Sequence, residues 1–273
     1  MTTVPPELAW LWAGLACYAV SAVVAMKAVV VGRGETRSTL VWLVAALALL
    51  ALAIGQRWIR VGHGPFLSMF EILLSNLFSL GLIFALAYWR LPRLRPSAAV
   101  VVPILLVLAL WILVVNPRDT HLPPTYETPV LWLHVTAGKL FLGFCLVAVG
   151  LAGVILLRRR ARAARWFSAM PDSSTLDQWA WRFMLVALVF QSLMLIAGAL
   201  WAQDAWGRYW AWDPLETWAF ITWVAAAAAM HARFAYRISP SVGALIILGV
   251  FILAFLTFFG VPFLSVAPHK GVV

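Results

Sequence analysis

Charged residues are scarce in this chain. Asp, Glu, Lys and Arg make up 11% of its 273 residues, whereas hydrophobic residues make up 64%. So low a charge content excludes a soluble globular domain, in which about a quarter of the residues are charged. Repeated apolar runs of about 18 or more residues instead predict membrane-spanning helices. The first run lacks the basic flank of a cleaved signal peptide, so we expect it to remain as a helix.

Cysteine and acidic residues are also few. The two cysteines, Cys17 and Cys145, lie in separate apolar segments and form no Cys-x-x-Cys pair. This argues against dithiol exchange and thiolate zinc binding, and we expect both residues in the core. The chain has 10 acidic and 20 basic residues, a formal net charge of +10. In a polytopic membrane protein such an excess indicates basic cytoplasmic loops rather than a nucleic-acid partner.

The apolar runs predict an all-α membrane bundle that forms one domain over residues 1–273. Most of the basic residues in loops fall on one face, which the positive-inside rule makes cytoplasmic. An even number of helices then places both termini outside, together with the loop at 116–130 and the tail. The segment 158–165 fits a topology determinant that contacts anionic membrane lipid. We predict about eight transmembrane helices, near residues 8–31, 39–56, 65–89, 97–115, 131–157, 180–200, 214–236 and 241–260.

A tryptophan-rich stretch separates the sixth and seventh predicted helices, on the outer face. Six of the 16 Trp residues lie between residues 201 and 223, and Tyr209 lies among them. One or two aromatic anchors suffice for an interfacial loop. We therefore interpret residues 201–218 as an outer loop that receives a flat, apolar ligand. Within it, Asp213-Pro214-Leu215-Glu216 has the pattern of a helix N-cap with Pro at the first position, which orients the tryptophans rather than supplying acid–base chemistry.

The five histidines differ in their predicted depth. His134 starts the fifth helix and His269 follows the eighth, so both flank the aromatic loop on the outer side. Two imidazoles there would suit the iron of an edge-on porphyrin, although an interfacial histidine with a water or headgroup partner fits the same spacing. His231 lies about 27 Å deeper, 18 residues after Asp213, where it is either a functional group or a side chain that snorkels to the inner interface.

Three further polar residues invite interpretation. His63 and His121 lie in outer loops, where we expect them to be solvated. Glu71 lies six residues into the third predicted helix, and an acid at that depth should face the interior of the bundle or a wet cavity.

The stretch Trp206-Gly207-Arg208-Tyr209-Trp210-Ala211-Trp212-Asp213-Pro214-Leu215-Glu216-Thr217-Trp218 resembles the "WWD" signature of haem-handling membrane proteins. Within that group the chain looks most like the CcsA (ResC) family of system II cytochrome c biogenesis. The likeness extends to Gly62–Glu71, with Phe70 where a Tyr is usual, to His134, and to Met230-His231-Ala232-Arg233. The tail departs from the family's usual pattern of glycines around the last histidine, because it reads Ser265-Val266-Ala267-Pro268-His269-Lys270-Gly271, and His269 matches by position.

The resemblance implies specific roles. His134 and His269 would ligate haem iron at an outer site, and His231 would serve an inner haem site with a CcsB/ResB-type membrane partner. The signature residues Trp206, Tyr209, Trp210, Trp212 and Asp213 would form the haem-binding surface. A b-type haem in transit would then reach an apocytochrome c and form thioether bonds at its Cys-x-x-Cys-His motif.

Two function hypotheses follow. In the first, the chain is the haem-handling subunit of a holocytochrome c synthase, in the bacterial cytoplasmic membrane or the thylakoid membrane. In the second, it transports haem or another flat ligand and has no part in ligation to cytochrome. A b-type electron-transfer protein fits less well, because it needs paired histidines inside the bundle and only His231 lies at inner depth.

Overall fold

The computed structural model describes residues 5–32 and 37–264, and the described chain is helical without a strand. This confirms the predicted all-α fold. Short 3-10 turns cover Pro92–Ser97 and Pro124–Tyr126, and a π-helical turn covers Leu256–Gly260. The α-helices are α1 (Glu7–Val30), α2 (Arg37–Val61), α3 (Met69–Arg90), α4 (Ala98–Ile112), α5 (Pro129–Leu157), α6 (Ala161–Trp166), α7 (Ser173–Trp206), α8 (Pro214–Ala235), α9 (Pro240–Phe255) and α10 (Val261–Leu264).

Seven helical segments of the described chain are long and apolar enough to cross a membrane, so this is a multi-pass membrane protein. They are α1, α2, α3, α4 with its leading 3-10 turn, α5, α7, and α9 with the π turn. The eighth predicted helix exists as α8, whose 22 residues suffice to span the hydrocarbon core. Its tryptophans, threonines and His231 lower its mean hydropathy. That α8 crosses, and that both termini lie outside, stay predictions.

Contacts divide the chain into two compact units. The first unit comprises Met1–His121 and Leu157–Pro171. In it α1 packs on α2 and α4, and α3 packs on the same two helices. Tyr18 of α1 is completely buried, and its hydroxyl donates to the Leu77 carbonyl of α3 at 3.0 Å. Gly81 allows this approach, because a Cβ there would collide with the Tyr18 hydroxyl.

The second unit comprises Leu122–Leu156 and Asp172–Val273. Its helices α7, α8 and α9 contact one another. Helix α5 packs on α7, where the Phe144 ring stacks on the rings of Phe183 and Phe190 at 6.3 and 5.6 Å between centroids. Gly138 of α5 faces the Met194 sulfur and the Phe258 ring, each about 3.1 Å from where its Cβ would lie. A small residue at this point therefore brings α5 and α7 together.

Three helices have boundaries that differ clearly from the sequence-based prediction. Helix α2 continues to Val61, and α3 starts only at Met69 because Ser68 caps it by accepting from the Glu71 N–H. Helix α7 is 34 residues long and includes Trp201 and Trp206. It ends at Gly207, whose φ of 73° is the left-handed conformation that glycine adopts at little cost. The predicted aromatic loop 201–218 is therefore a helix end, a short loop at 207–213 and a helix start.

Candidate functional site

His134 lies in the first turns of α5 and is partly buried. Its Nδ1 is 2.8 Å from the Met194 carbonyl oxygen of α7. Because a carbonyl can only accept, Nδ1 carries the proton, and the lone pair of the neutral ring resides on Nε2. Metal-binding histidines are oriented by this kind of hydrogen bond from the other ring nitrogen. The packing of α5 on α7 thus fixes the orientation of the His134 ring and the nitrogen that carries its proton.

Gly198 makes room for this imidazole. A Cβ built on Gly198 would lie 2.7 Å from His134 Nδ1 and 2.9 Å from Cε1, both closer than real contacts allow. Gly198 is one helical turn beyond Met194, the residue whose carbonyl accepts from the ring. The same short stretch of α7 therefore supplies both the space and the hydrogen bond that fix His134.

Trp201 is the centre of an aromatic cluster beside His134. Only 4% of it is exposed, and its Nε1 donates to the Thr125 carbonyl at 3.0 Å. Its ring lies 6.2 Å from that of His134 at 26°, and Tyr126 and Trp206 meet it edge-on, each at 4.9 Å. Burial raises the pKa of Tyr126, so its phenol stays neutral. Such ring pairs each contribute about 0.5–1.5 kcal/mol beyond the buried area.

A second aromatic cluster is formed by the short loop and the start of α8. Trp210 meets the Trp212 ring at 5.6 Å and the Phe220 ring at 6.1 Å, both edge-on. Phe220 in turn stacks on Trp223 at 5.9 Å. The Trp210 Nε1 is buried and has no hydrogen-bond partner among the described residues. A buried indole N–H in this situation can donate to an acceptor that the described residues do not supply.

The loop also exposes large aromatic surfaces. Trp212 is 66% exposed and Tyr209 is 58% exposed. Trp212 has a φ of 58°, a left-handed conformation that costs a bulky residue about 1–3 kcal/mol. Its neighbours hold this conformation, because the Trp212 carbonyl accepts from the Thr217 hydroxyl at 3.1 Å. The loop therefore presents the faces of an indole and a phenol at the protein surface in a fixed conformation.

Asp213 caps α8 as the sequence pattern predicts. Its Oδ1 accepts from the Glu216 N–H at 2.9 Å, and Pro214 occupies the first helical position. Glu216 reaches further back than in a standard capping box, since its Oε2 accepts from the Ala211 N–H at 2.7 Å. Both carboxylates are thus occupied in shaping the loop, and the structural interpretation of Asp213 and Glu216 is confirmed.

His231 is exposed near the end of α8, where its role stays a prediction. Two residues on, the Arg233 guanidinium is 2.7 Å from Asp177 Oδ2 on α7. Asp177 is 3% exposed and also accepts from Trp181 Nε1 at 3.1 Å. The sequence-based reasoning missed this pair because it began the helix at residue 180, after Asp177. The available signal was the spacing of Asp177 three and four residues before Ala180 and Trp181, which places the acid on the same helix face as these residues.

The prediction that His63 is solvated is wrong. His63 is 4% exposed, its Nδ1 lies 2.9 Å from the Gly64 carbonyl, and its Nε2 lies 2.9 Å from the Thr120 carbonyl. With a carbonyl oxygen against each ring nitrogen, His63 ties the 116–121 segment to the end of α2 rather than presenting a nitrogen to a metal. His121 is exposed, as expected. His269 lies outside the described residues.

Glu71 belongs to a buried ionic network in the first unit, which the sequence did not reveal as a network. It faces the interior as predicted, and its Oε1 accepts from Arg57 Nε at 2.9 Å, with neither side chain exposed. Arg57 also pairs with Glu7 at 3.3 Å and donates to the Pro117 and Arg118 carbonyls. Arg60 extends the network to Asp119 at 2.6 Å, and this hydrogen bond lowers the pKa of Asp119.

No group of three or more His, Cys, Asp or Glu side chains in the described chain could hold a bare metal ion. A porphyrin needs far less from the protein, because the macrocycle supplies four iron ligands and only axial ligands are added. One oriented imidazole beside buried and exposed indoles meets that need. The described residues of the second unit therefore fit a metalloporphyrin.

Comparison with known families agrees with this chemistry. The model of the family described as "Cytochrome C assembly protein" matches residues 63–269, which include both aromatic clusters and His134. The chain belongs to this cytochrome c assembly family.

Individual members of the family are similar over most of their length. The chain is 29% identical to the cytochrome c biogenesis protein CcsA of Guillardia theta over 245 residues, 81% of each chain. It is 29% identical to the CcsA protein of Prochlorococcus marinus subsp. pastoris over 250 residues, 81% of this chain and 79% of that one. The family resemblance of the sequence motifs is confirmed by these matches.

One solved structure has the same fold. It is described as "Cytochrome c Heme Lyase CcmF", with a TM-score of 0.65 and 19% sequence identity. The likeness covers 95% of this chain and 47% of that chain. This cytochrome c assembly protein thus has a fold that occurs within a chain about twice its length.

Proposed function

We propose that this cytochrome c assembly protein binds haem at its outer face and presents it to apocytochrome c for thioether attachment. The observation that carries the proposal is the geometry of His134, whose Nδ1 is tied to Met194 so that Nε2 has the lone pair. That nitrogen would ligate the iron of the haem. His269 would be the second axial ligand, and the haem in transit would be of b-type.

The aromatic residues would hold the ring of the substrate. The exposed faces of Tyr209 and Trp212 lie in the loop that follows α7, and Trp206 ends that helix. Flat apolar surfaces of this kind stack on a macrocycle and exclude water from it. The buried Trp210 N–H would donate to an acceptor of the ligand, and Asp213 would keep the loop in position.

The remaining parts of the proposal concern the path of the haem. His231, exposed near the end of α8, would ligate haem at an inner site together with a CcsB/ResB-type partner. The membrane would be a bacterial cytoplasmic or thylakoid membrane, with the aromatic loop on the outer side. Thioether bonds form when each Cys thiol of the Cys-x-x-Cys-His motif adds across a haem vinyl group, the sulfur to one carbon and the proton to the other.

The test compares His134→Ala with His121→Ala in the protein purified with its haem. His121 is the matched control, since it is an exposed histidine in a loop. We expect His134→Ala to lose the bis-imidazole absorbance bands and covalent haem attachment at an unchanged membrane level, and His121→Ala to retain both. Normal holocytochrome from His134→Ala would contradict the proposal. Unchanged haem occupancy in His231→Ala would contradict the relay from an inner site.

A further inference from the structure

The segment between α5 and α7 is held in a defined shape by one arginine. The Arg158 guanidinium donates to the carbonyls of Phe167, Met170 and Pro171. Ala163, Phe167 and Met170 are buried beneath it. Arg158 is therefore an internal clamp, and it differs in role from the other basic residues of the segment 158–165.

The clamp presents one face of α6. Arg162, Arg165 and Trp166 are three and four residues apart, which is the spacing of neighbours on one side of a helix. Together with the last residues of α1 they line an open cleft of about 540 Å³. The opposite wall is Val29, Val30, Val31 and Gly32, of which Val30 and Val31 are 49% and 57% exposed.

The cleft has one basic wall and one aliphatic wall, and a single class of ligand matches both. Its arginines are exposed and no acidic residue is among the described lining residues, so the cleft attracts an anion. Its other wall is purely aliphatic and lies at the end of a membrane-spanning helix. Indoles such as that of Trp166 prefer the level of the lipid headgroups. A small soluble anion would use only the arginines, whereas a lipid would use both walls.

We propose that this cleft is a binding site for an anionic phospholipid. The headgroup phosphate is held by the guanidinium groups of Arg162 and Arg165. A guanidinium can donate two parallel N–H hydrogen bonds to the oxygens of one phosphate. The glycerol backbone lies against Trp166, and the upper part of an acyl chain lies along Val29–Val31. The site is independent of haem binding, because its residues belong to the first unit and His134 belongs to the second.

The test is native mass spectrometry of the delipidated full-length protein with added phosphatidylglycerol or phosphatidylcholine. We expect a preference for phosphatidylglycerol that falls about tenfold or more in Arg162→Gln/Arg165→Gln. The matched control is Arg159→Gln/Arg160→Gln, which removes the same charge from the same segment at exposed positions outside the cleft. It should change the preference less than about twofold.

Two further arms identify the ligand. Val31→Gln keeps both arginines, and we expect it to weaken long-chain more than short-chain phosphatidylglycerol. Millimolar inorganic phosphate should fail to displace the lipid. Equal losses in the two arginine double variants would mean that general surface charge attracts lipid, and displacement by phosphate would mean that the site takes a free anion. Either result would overturn the proposal, as would loss of haem absorbance in Arg162→Gln/Arg165→Gln with lipid binding unchanged.

Discussion

The two units of this protein differ in what their polar groups contact. In the first, charged side chains lie in the interior, since Arg57, Glu7 and Glu71 are completely buried and Arg57 pairs with both carboxylates. In the second, the polar atoms near the loop orient other groups, as the Met194 carbonyl does for His134 and Asp213 does for the start of α8. The first arrangement joins helices through buried ion pairs, and the second fixes the orientation of a side chain and of a helix start.

The comparison extends to one histidine in each unit, the buried His63 and the partly buried His134. His63 has a carbonyl oxygen against each ring nitrogen, whereas the Nδ1 of His134 donates to the Met194 carbonyl. An imidazole used on both sides as a brace cannot coordinate iron without losing a contact. Burial of a histidine therefore says little about ligation until the partner of each nitrogen is known.

The largest effect should come from breaking the ionic network. Arg57→Met leaves the Glu71 carboxylate buried without its ionic partner, whereas Glu7 keeps Arg60, and the loss costs about 3–5 kcal/mol. We expect a large loss of thermal stability in detergent, with unchanged haem absorbance per folded molecule. The control Asp119→Asn removes an acidic side chain of the same network that is 55% exposed, and should cost about 1 kcal/mol or less. A small loss of thermal stability in Arg57→Met would show that the network does not support the first unit.

The next effect concerns the packing of α7 against His134. Gly198→Ala places a Cβ 2.7 Å from Nδ1, so the imidazole must shift, at about 1–3 kcal/mol for overpacking. We expect haem retention to fall and the absorbance bands to change. The control Gly249→Ala meets no atom within 4 Å and should stabilise the helix by about 0.5–1 kcal/mol. An unaltered haem spectrum in Gly198→Ala would contradict a role for Gly198 in positioning His134.

Variants of two helix N-caps distinguish an effect on folding stability from an effect on haem binding. Asp213→Ala and Asp172→Ala each remove an N-cap acceptor, from α8 and α7 respectively. Each should cost about 1 kcal/mol of folding free energy. Only Asp213→Ala should also weaken haem binding, because only Asp213 adjoins the aromatic loop. Equal haem affinities in the two variants would indicate that the loop conformation is unimportant for the site.

The smallest effect is the pH dependence at Asp119. Its pKa is lowered in the folded protein by the hydrogen bond from Arg60, so ionised Asp119 stabilises the fold. This contribution is complete above its ordinary pKa of 3.8 and disappears as the pH falls through the lower folded value. The side chain is 55% exposed, so the contribution is about 0.5 kcal/mol or less. Melting curves should separate wild type from Asp119→Asn at neutral pH and converge in acid.

The sequence predicted the helices and the N-cap of α8 because both depend on local patterns. Hydrophobic runs give the helices, and Asp213-Pro214-Leu215-Glu216 gives the cap. The length of α7 was underestimated, because the helix continues through polar residues at both ends until Gly207 stops it. Tertiary packing overrides the composition of those terminal turns.

The cross-helix contacts of the site could not be predicted. That Met194 and Gly198 shape the position of His134 follows from the packing of α5 on α7, about 60 residues apart in the chain. The same holds for Arg57, which lies 14 residues before Glu71 and 50 residues after Glu7. Single-sequence patterns show which residue types are unusual, but they do not show which of them meet.

Chemical rescue would test the central claim, that Nε2 of His134 ligates haem iron, most directly. His134→Gly removes the imidazole and leaves a space beside Gly198 and Trp201, which added imidazole can enter. We expect His134→Gly to lose the bis-imidazole absorbance and covalent haem attachment, and free imidazole to restore both. His63→Gly, the brace of the other unit, should keep its haem spectrum with or without imidazole. An unchanged spectrum in His134→Gly would contradict the assignment.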